Sequence, residues 1–132
     1  MSPSPSSSCR CVLVVDDDAD IRDGLAELLD AEGYCTVLCE NGREALDYLA
    51  AHPAPCVVLL DLMMPVMSGR EFRVAQLSNP AMAAIPVVVI SAGDNAIEQA
   101  RALGAECIPK PLDLSRLFQT LEARCPPSIP AS

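Results

Sequence analysis

Residues 56–69, CVVLLDLMMPVMSG, decide the fold, because an apolar run there stops at one acid, Asp61, and the chain then turns. The run is rich in β-branched residues and is entered from the turn-forming His52-Pro53-Ala54-Pro55. It reads as a strand buried on both faces, the habit of a parallel sheet. Asp61 then stands at a strand's carboxyl end, the edge at which open parallel sheets bind ligands. Alone, such an acid is more often a solvated turn carboxylate, and the rest of the chain has to separate the two readings.

Upstream, the apolar residues 11–15 end in Asp16, Asp17 and Asp18. From Ala19 the period lengthens: Ile21, Leu25, Leu28 and Leu29 share one helical face, with Asp18 as N-cap and Gly33 as C-cap. Residues 34–39 form a second strand, and 41–51 a second helix with Ala45, Leu46 and Leu49 inward, stopped by Pro53. Downstream, 69–77 reads as a less regular helix around Phe72 and Ala75. Asn79-Pro80 and Pro86 punctuate the loop before a fourth buried strand, 87–90, that ends in Ser91. Asp94 caps a short helix carrying Ile97, Ala100 and Leu103, closed by Gly104. A brief fifth strand, 106–108, precedes Pro109-Lys110-Pro111 and a last helix with Leu114, Leu117, Phe118 and Leu121. Strand and helix alternate throughout, the pattern of an α/β domain with a parallel sheet. The expected organisation is a Ser/Pro tail over 1–10, one domain over 11–124 and a Pro-rich tail over 125–132.

Composition narrows the function. The 132 residues suit one core that buries roughly two thirds of the unfolded chain's surface. A net charge of -9 with scattered cations repels phosphate backbones and anionic lipid, so neither direct nucleic-acid binding nor a membrane is expected. No basic n-region opens the chain, and the run 12–15 is too short for a signal or a span. Seven cysteines without a CxxC, beside a single His, do not cluster as zinc ligands do. Cys11, Cys35, Cys39, Cys56 and Cys107 fall in expected strands, where reduced Cys behaves as a small hydrophobe, and a cytoplasmic location follows. His52 reads as a surface loop residue. Asp16, Asp18, Asp20 and Glu27 imitate four positions of a calcium loop, but Ile21 stands where its turn glycine is needed and a strand, not a helix, precedes it.

Parallel strands bring Asp16, Asp17, Asp61, Ser91 and Lys110 to one edge. Two carboxylates about 4 Å apart repel by roughly 4 kcal/mol at an effective dielectric of 20, so the edge calls for cations. Lys110 supplies one charge, and a hard divalent ion held by carboxylate oxygens, waters and a phosphate oxygen supplies the rest.

In order and spacing, VLVVDDDADIR at 12–22, LLDLMMPVMSG at 59–69, VVVISAG at 87–93 and KP at 110–111 resemble the receiver domain of response regulators. The resemblance covers almost the whole ordered chain. It implies a flavodoxin-like doubly wound (βα)5 fold with a five-stranded parallel sheet in the order 2-1-3-4-5. It also implies that Asp61 is a phosphoacceptor and that Asp17, Asp61 and the Met63 backbone carbonyl bind Mg²⁺ or Mn²⁺, with Asp16 acting mainly through water. Ser91 and Lys110 then hold phosphoryl oxygens, and the Lys110-Pro111 bond is cis. The implied partners are a sensor histidine kinase or histidine phosphotransfer protein upstream and an unidentified protein downstream. The chain is expected to be free-standing and not an enzyme, beyond self-catalysed phosphorylation and dephosphorylation.

Two departures bear on output. Cys107 occupies the last-strand position where receivers often carry Tyr or Phe, and a Cys has no ring to swing. The segment 92–109 also looks short, and Pro109 removes a strand donor, so the fifth strand is expected to end by Ile108. In the family, the positions of Met63 and Gly93 tune loss of the phosphoryl group. The main rival reading is a degenerate receiver that binds partners without phosphorylation. A haloacid-dehalogenase-like phosphatase needs a second Asp where Met63 stands, and a flavodoxin-type FMN site is excluded by three acids after the first strand.

Overall fold

The computed structural model describes residues 10–93 and 95–125. Five strands, β1 (Arg10–Val15), β2 (Tyr34–Cys39), β3 (Val57–Leu60), β4 (Val87–Ser91) and β5 (Glu106–Pro109), alternate with five helices. The helices are α1 (Ala19–Ala31), α2 (Gly42–Ala51), α3 (Gly69–Leu77), α4 (Ala96–Ala102) and α5 (Leu114–Arg124). The sheet is parallel throughout, in the order β2-β1-β3-β4-β5, as expected.

Alternate side chains of each strand leave on opposite faces. On one face Val12, Val14, Val57, Leu59, Val88 and Ile90 pack against Leu25 and Leu29 of α1 and Leu117 and Leu121 of α5. On the other, Leu13, Val15, Val58 and Leu60 meet Ala45 and Leu49 of α2 and Phe72 of α3. Toward the β5 edge a smaller cluster joins Leu62, Val89 and Cys107 to Ala96 and Ala100 of α4. Every side chain of β3 and β4 is buried, which is why those strands lack alternation in the sequence.

Local signals explain the helix starts. Asp18 accepts hydrogen bonds from the N–H groups of Asp20 and Ile21, Asn41 from Glu44, and Asp113 from Arg116. Ser68 and Glu71 form a reciprocal capping box on α3. Gly33 takes the left-handed φ of 89° that ends α1. The expected cap at Asp94 lies outside the described residues, and Asn95 at that helix start makes no side-chain cap bond.

Several expectations are corrected. Leu28 shares its helical face with Leu25 and Leu29, and Ile97 and Leu114 stand among the apolar residues of their helices, yet all three are exposed, because periodicity gives a helix its apolar side but not how far the core extends beneath it. β5 runs to Pro109 rather than ending at Ile108, and Lys110 N–H still reaches the Ser91 carbonyl. The alternation of an edge strand turns the residue-109 nitrogen outward, so Pro there costs no ladder bond. Arg10 pairs with Tyr34 in β1 and Cys125 is buried as the C-cap of α5, so both belong to the ordered unit rather than to the tails. The remainder of both expected tails lies outside the described residues.

The cysteine reading also changes. Cys56 and Cys125 form a disulfide with Cα atoms 5.4 Å apart, and Cys35 is disulfide-bonded too, whereas Cys11, Cys39 and Cys107 are free thiols. The Cys56–Cys125 partners are 69 residues apart, so spacing along the chain gave no sign of them.

Candidate functional site

The register brings the expected side chains together. Pairing of Val15 with Leu60 sets Asp16 and Asp61 level at the carboxyl ends of β1 and β3, where Asp61 N–H donates to the Val15 carbonyl at 2.9 Å. Ser91, buried, ends β4 beside Pro109, and Lys110 follows at once. One carboxylate oxygen each from Asp16, Asp17 and Asp61 lies within 4.8 Å of the others. Lys110 Nζ is 3.1 Å from Asp16 Oδ2 and 4.0 Å from Asp61 Oδ1. The Lys110-Pro111 bond is cis.

Asp61 is only 6% exposed. Burial, and then the Asp16 charge, push its carboxyl up to about 6, while Lys110 and the Met63 N–H, 3.4 Å from Oδ1, pull in the other direction and Asp17 adds to the rise. One lysine thus leaves three acids undercompensated. The shortfall is one that oxygen-seeking divalent ions meet, and the donor set, all carboxylate oxygen and open on the Asp17 side, fits such an ion. Residue 63 contributes its N–H to the acceptor, and its side chain is 75% exposed at the rim.

The surrounding chain is built to hold this edge. Asp16 Oδ1 accepts the Asp18 N–H, and Arg22 Nη1 donates to the Asp16 carbonyl at 2.7 Å. Asp18 is occupied in capping α1, which removes it from the imitated calcium loop. Behind Asp61 the chain closes so tightly that a Cβ on Gly69 would come 2.2 Å from the Asp61 carbonyl oxygen. Only glycine fits there, and it lets α3 start directly against the acceptor. Val66, between them, holds a φ of 68°, a strained conformation for a β-branched residue, and is 81% exposed. Arg22 and Gly69 stand inside the quoted motifs, but their roles were not legible from them.

Away from this edge, α3 carries a second buried polar group that the sequence reading missed. Arg73 donates to the carbonyls of Leu103 and Gly104 and to Gln76 Oε1, and Gln76 donates to the carbonyls of Met82 and Ile85. At the position of the expected aromatic, the Cys107 thiol is buried and raised by that burial.

Residues 12–122 match the model of the response regulator receiver domain. Response regulator MprA of Mycolicibacterium vanbaalenii is 36% identical over 115 residues, 85% of this chain and 48% of that protein. The chain spans about half the length of the curated relatives it matches. Among solved structures, a response regulator receiver protein from Pseudomonas putida superposes with a TM-score of 0.80 at 28% identity, covering 87% of this chain and 97% of the other. The chemotaxis response regulator CheY4 of Vibrio cholerae gives 0.77 at 30% identity, covering 87% and 98%. With its sheet order, its acidic edge and its motifs in agreement, the chain belongs to the response regulator receiver domain family.

Proposed function

We propose that the chain accepts a phosphoryl group on Asp61 from a histidine kinase or a histidine phosphotransfer protein and signals by binding a partner in a phosphorylation-dependent way. The observation that carries this reading is the convergence of Asp16, Asp17, Asp61 and Lys110, with Asp61 buried and short of positive charge. A carboxylate Oδ of Asp61 attacks phosphorus, the bond from phosphorus to the donor's leaving group breaks, and that group departs with the electron pair. Lys110 Nζ, within reach of both Asp16 and Asp61, stabilises charge on the transferring oxygens. Ser91, at the end of the neighbouring strand, donates its hydroxyl to a phosphoryl oxygen once the acyl phosphate has formed.

Asp17, Asp61 and the Met63 carbonyl would hold Mg²⁺ or Mn²⁺, with Asp16 acting mainly through water. When bound, the ion neutralises charge on the incoming phosphoryl group. Lys110, paired with Asp16 and 4.0 Å from Asp61 Oδ1, stays beside the acceptor. The reading makes the chain an acceptor rather than an enzyme that turns over external esters. No described helix is long and apolar enough to cross a membrane.

A small phosphodonor such as acetyl phosphate tests the assignment by intact mass. One added phosphoryl group that requires Mg²⁺ and is lost in Asp61→Asn is the expected result. No uptake with Mg²⁺ bound would favour the degenerate, phosphorylation-independent reading, for which Cys107 is the specific observation.

A further inference from the structure

Arg73 is a buried cation, 7% exposed, and its hydrogen bonds go to dipoles. Nε lies 2.9 Å from the Leu103 carbonyl and Nη2 3.1 Å from the Gly104 carbonyl. Leu103 is the C-cap of α4, so the guanidinium sits at the negative end of that helix and satisfies carbonyls the helix cannot. Nη1 binds Gln76 Oε1 at 2.8 Å, and Gln76 Nε2 reaches the Met82 and Ile85 carbonyls at 2.9 and 3.0 Å, in the turn that feeds β4. One face of α3 therefore grips both α4 and the entry to β4.

The other end of α3 is fixed on the acceptor. Gly69 packs against the Asp61 backbone, its N–H donates to the Leu62 carbonyl at 3.1 Å, and the Ser68–Glu71 capping box locks the first turn. α4, by contrast, is gripped at its C-terminal end and lacks a side-chain cap bond at its start, a few residues after Ser91. β5 offers no aromatic ring to move, since Cys107 is a small buried thiol. Beyond α4 an open cavity of about 640 Å³ runs along the β5 edge, lined by Arg73, Ile97, Arg101, Arg116 and Arg124 among others. The guanidinium that holds α4 is thus part of that cavity's wall.

From this geometry we infer that α3 is the lever carrying the state of Asp61 to the α4–β5 edge, and that Arg73 is the positioning residue at its far end. The inference rests on the acceptor reading of Asp61. A shift of the 62–68 loop as the acceptor is modified moves α3 as a rigid piece, because Gly69 leaves no slack, and Arg73 passes the motion to the Leu103–Gly104 turn. α4 then pivots about its held end.

Beryllium fluoride with Mg²⁺, as a mimic of the acyl phosphate, tests the lever by amide hydrogen exchange over residues 96–108 in the full chain. The wild type is expected to change its exchange rate there by roughly fivefold or more. Arg73→Met is expected to bind beryllium fluoride with unchanged affinity yet show no such change, and Arg73→Lys, which keeps a donor, to recover part of it. Should Arg73→Met fail to fold, Arg73→Lys decides the matter alone through a reduced change at full beryllium fluoride affinity. A change in 96–108 that persists undiminished in the Arg73 variants overturns the lever. So does a wild type that binds beryllium fluoride with 96–108 unaltered, or an Arg73 variant that loses beryllium fluoride binding altogether. A wild type that never binds the mimic overturns the acceptor reading itself and the lever with it.

Discussion

Asp61 and Arg73 are both charged side chains withdrawn from water, 6% and 7% exposed, and the fold treats them in opposite ways. Arg73 receives two main-chain carbonyls and a side-chain amide oxygen, all at ordinary hydrogen-bond distances. Asp61 receives a long bond from the Met63 N–H and one lysine at 4.0 Å, with two more acids beside it. A buried charge given its partners holds elements together, and one left short of them is ready to take a cation or an electrophile. The contrast separates architecture from chemistry within about a dozen residues of chain.

The largest expected effect falls on the undercompensated side. Lys110→Met removes the cation nearest the transferring group and should slow phosphoryl uptake from a small donor roughly 100- to 1,000-fold, read from initial rates of mass gain. A rate within threefold of wild type would deny Lys110 that role.

On the satisfied side, Arg73→Met leaves Gln76 Oε1 and the carbonyls of Leu103 and Gly104 without their donor. The cost should be about 2–4 kcal/mol in urea denaturation, close to the figure for breaking a buried polar network. An unchanged midpoint would mean that water replaces the guanidinium without penalty.

Charge alone distinguishes the third case. Because the Asp61 carboxyl is raised to about 6, the folded state holds its proton more tightly than the unfolded chain. The stability it contributes is complete below about pH 4 and is lost as pH rises through 6. Asp61→Asn should therefore match wild type near pH 4 and, without divalent ions, exceed it by roughly 1–3 kcal/mol above pH 7. Added Mg²⁺ should shrink the gap. A variant no more stable than wild type at pH 7.5 in chelator would show that the three acids are not in conflict.

The smallest effect concerns the rim. Met63 is exposed and a Cβ on Gly93 would meet nothing within 4 Å, so Met63→Asn and Gly93→Glu fit without repacking. Each should shift the decay rate of phosphorylated Asp61 by roughly 2- to 10-fold while leaving stability within about 0.5 kcal/mol. Equal decay in both variants and wild type would remove these residues from the control of lifetime.

Much of the site was legible in the sequence because each strand declares its end: a buried apolar run that stops at Asp16, Asp61 or Ser91 can be placed without knowing its neighbours. Cap residues such as Asp18 and Ser68 act over three positions and were open to the same kind of reading. Arg73 was not, since periodicity counts any arginine as outward, and only the C-terminal end of α4, thirty residues on, explains its burial. Leu114 and Ile97 are exposed for the complementary reason: they are apolar residues of amphipathic helices whose packing surface ends short of them, and the chain does not announce where that surface stops. The Cys56–Cys125 pair belongs with Arg73, a contact whose partners share no local pattern.

The central claim is that one carboxylate, at the end of β3, takes the phosphoryl group. Borohydride reduction after treatment with acetyl phosphate and Mg²⁺ converts an aspartyl phosphate to homoserine, and peptide mass mapping then names the residue. Homoserine at position 61 alone is the predicted result. Homoserine at 16 or 17, or label on another kind of side chain with position 61 intact, would contradict it.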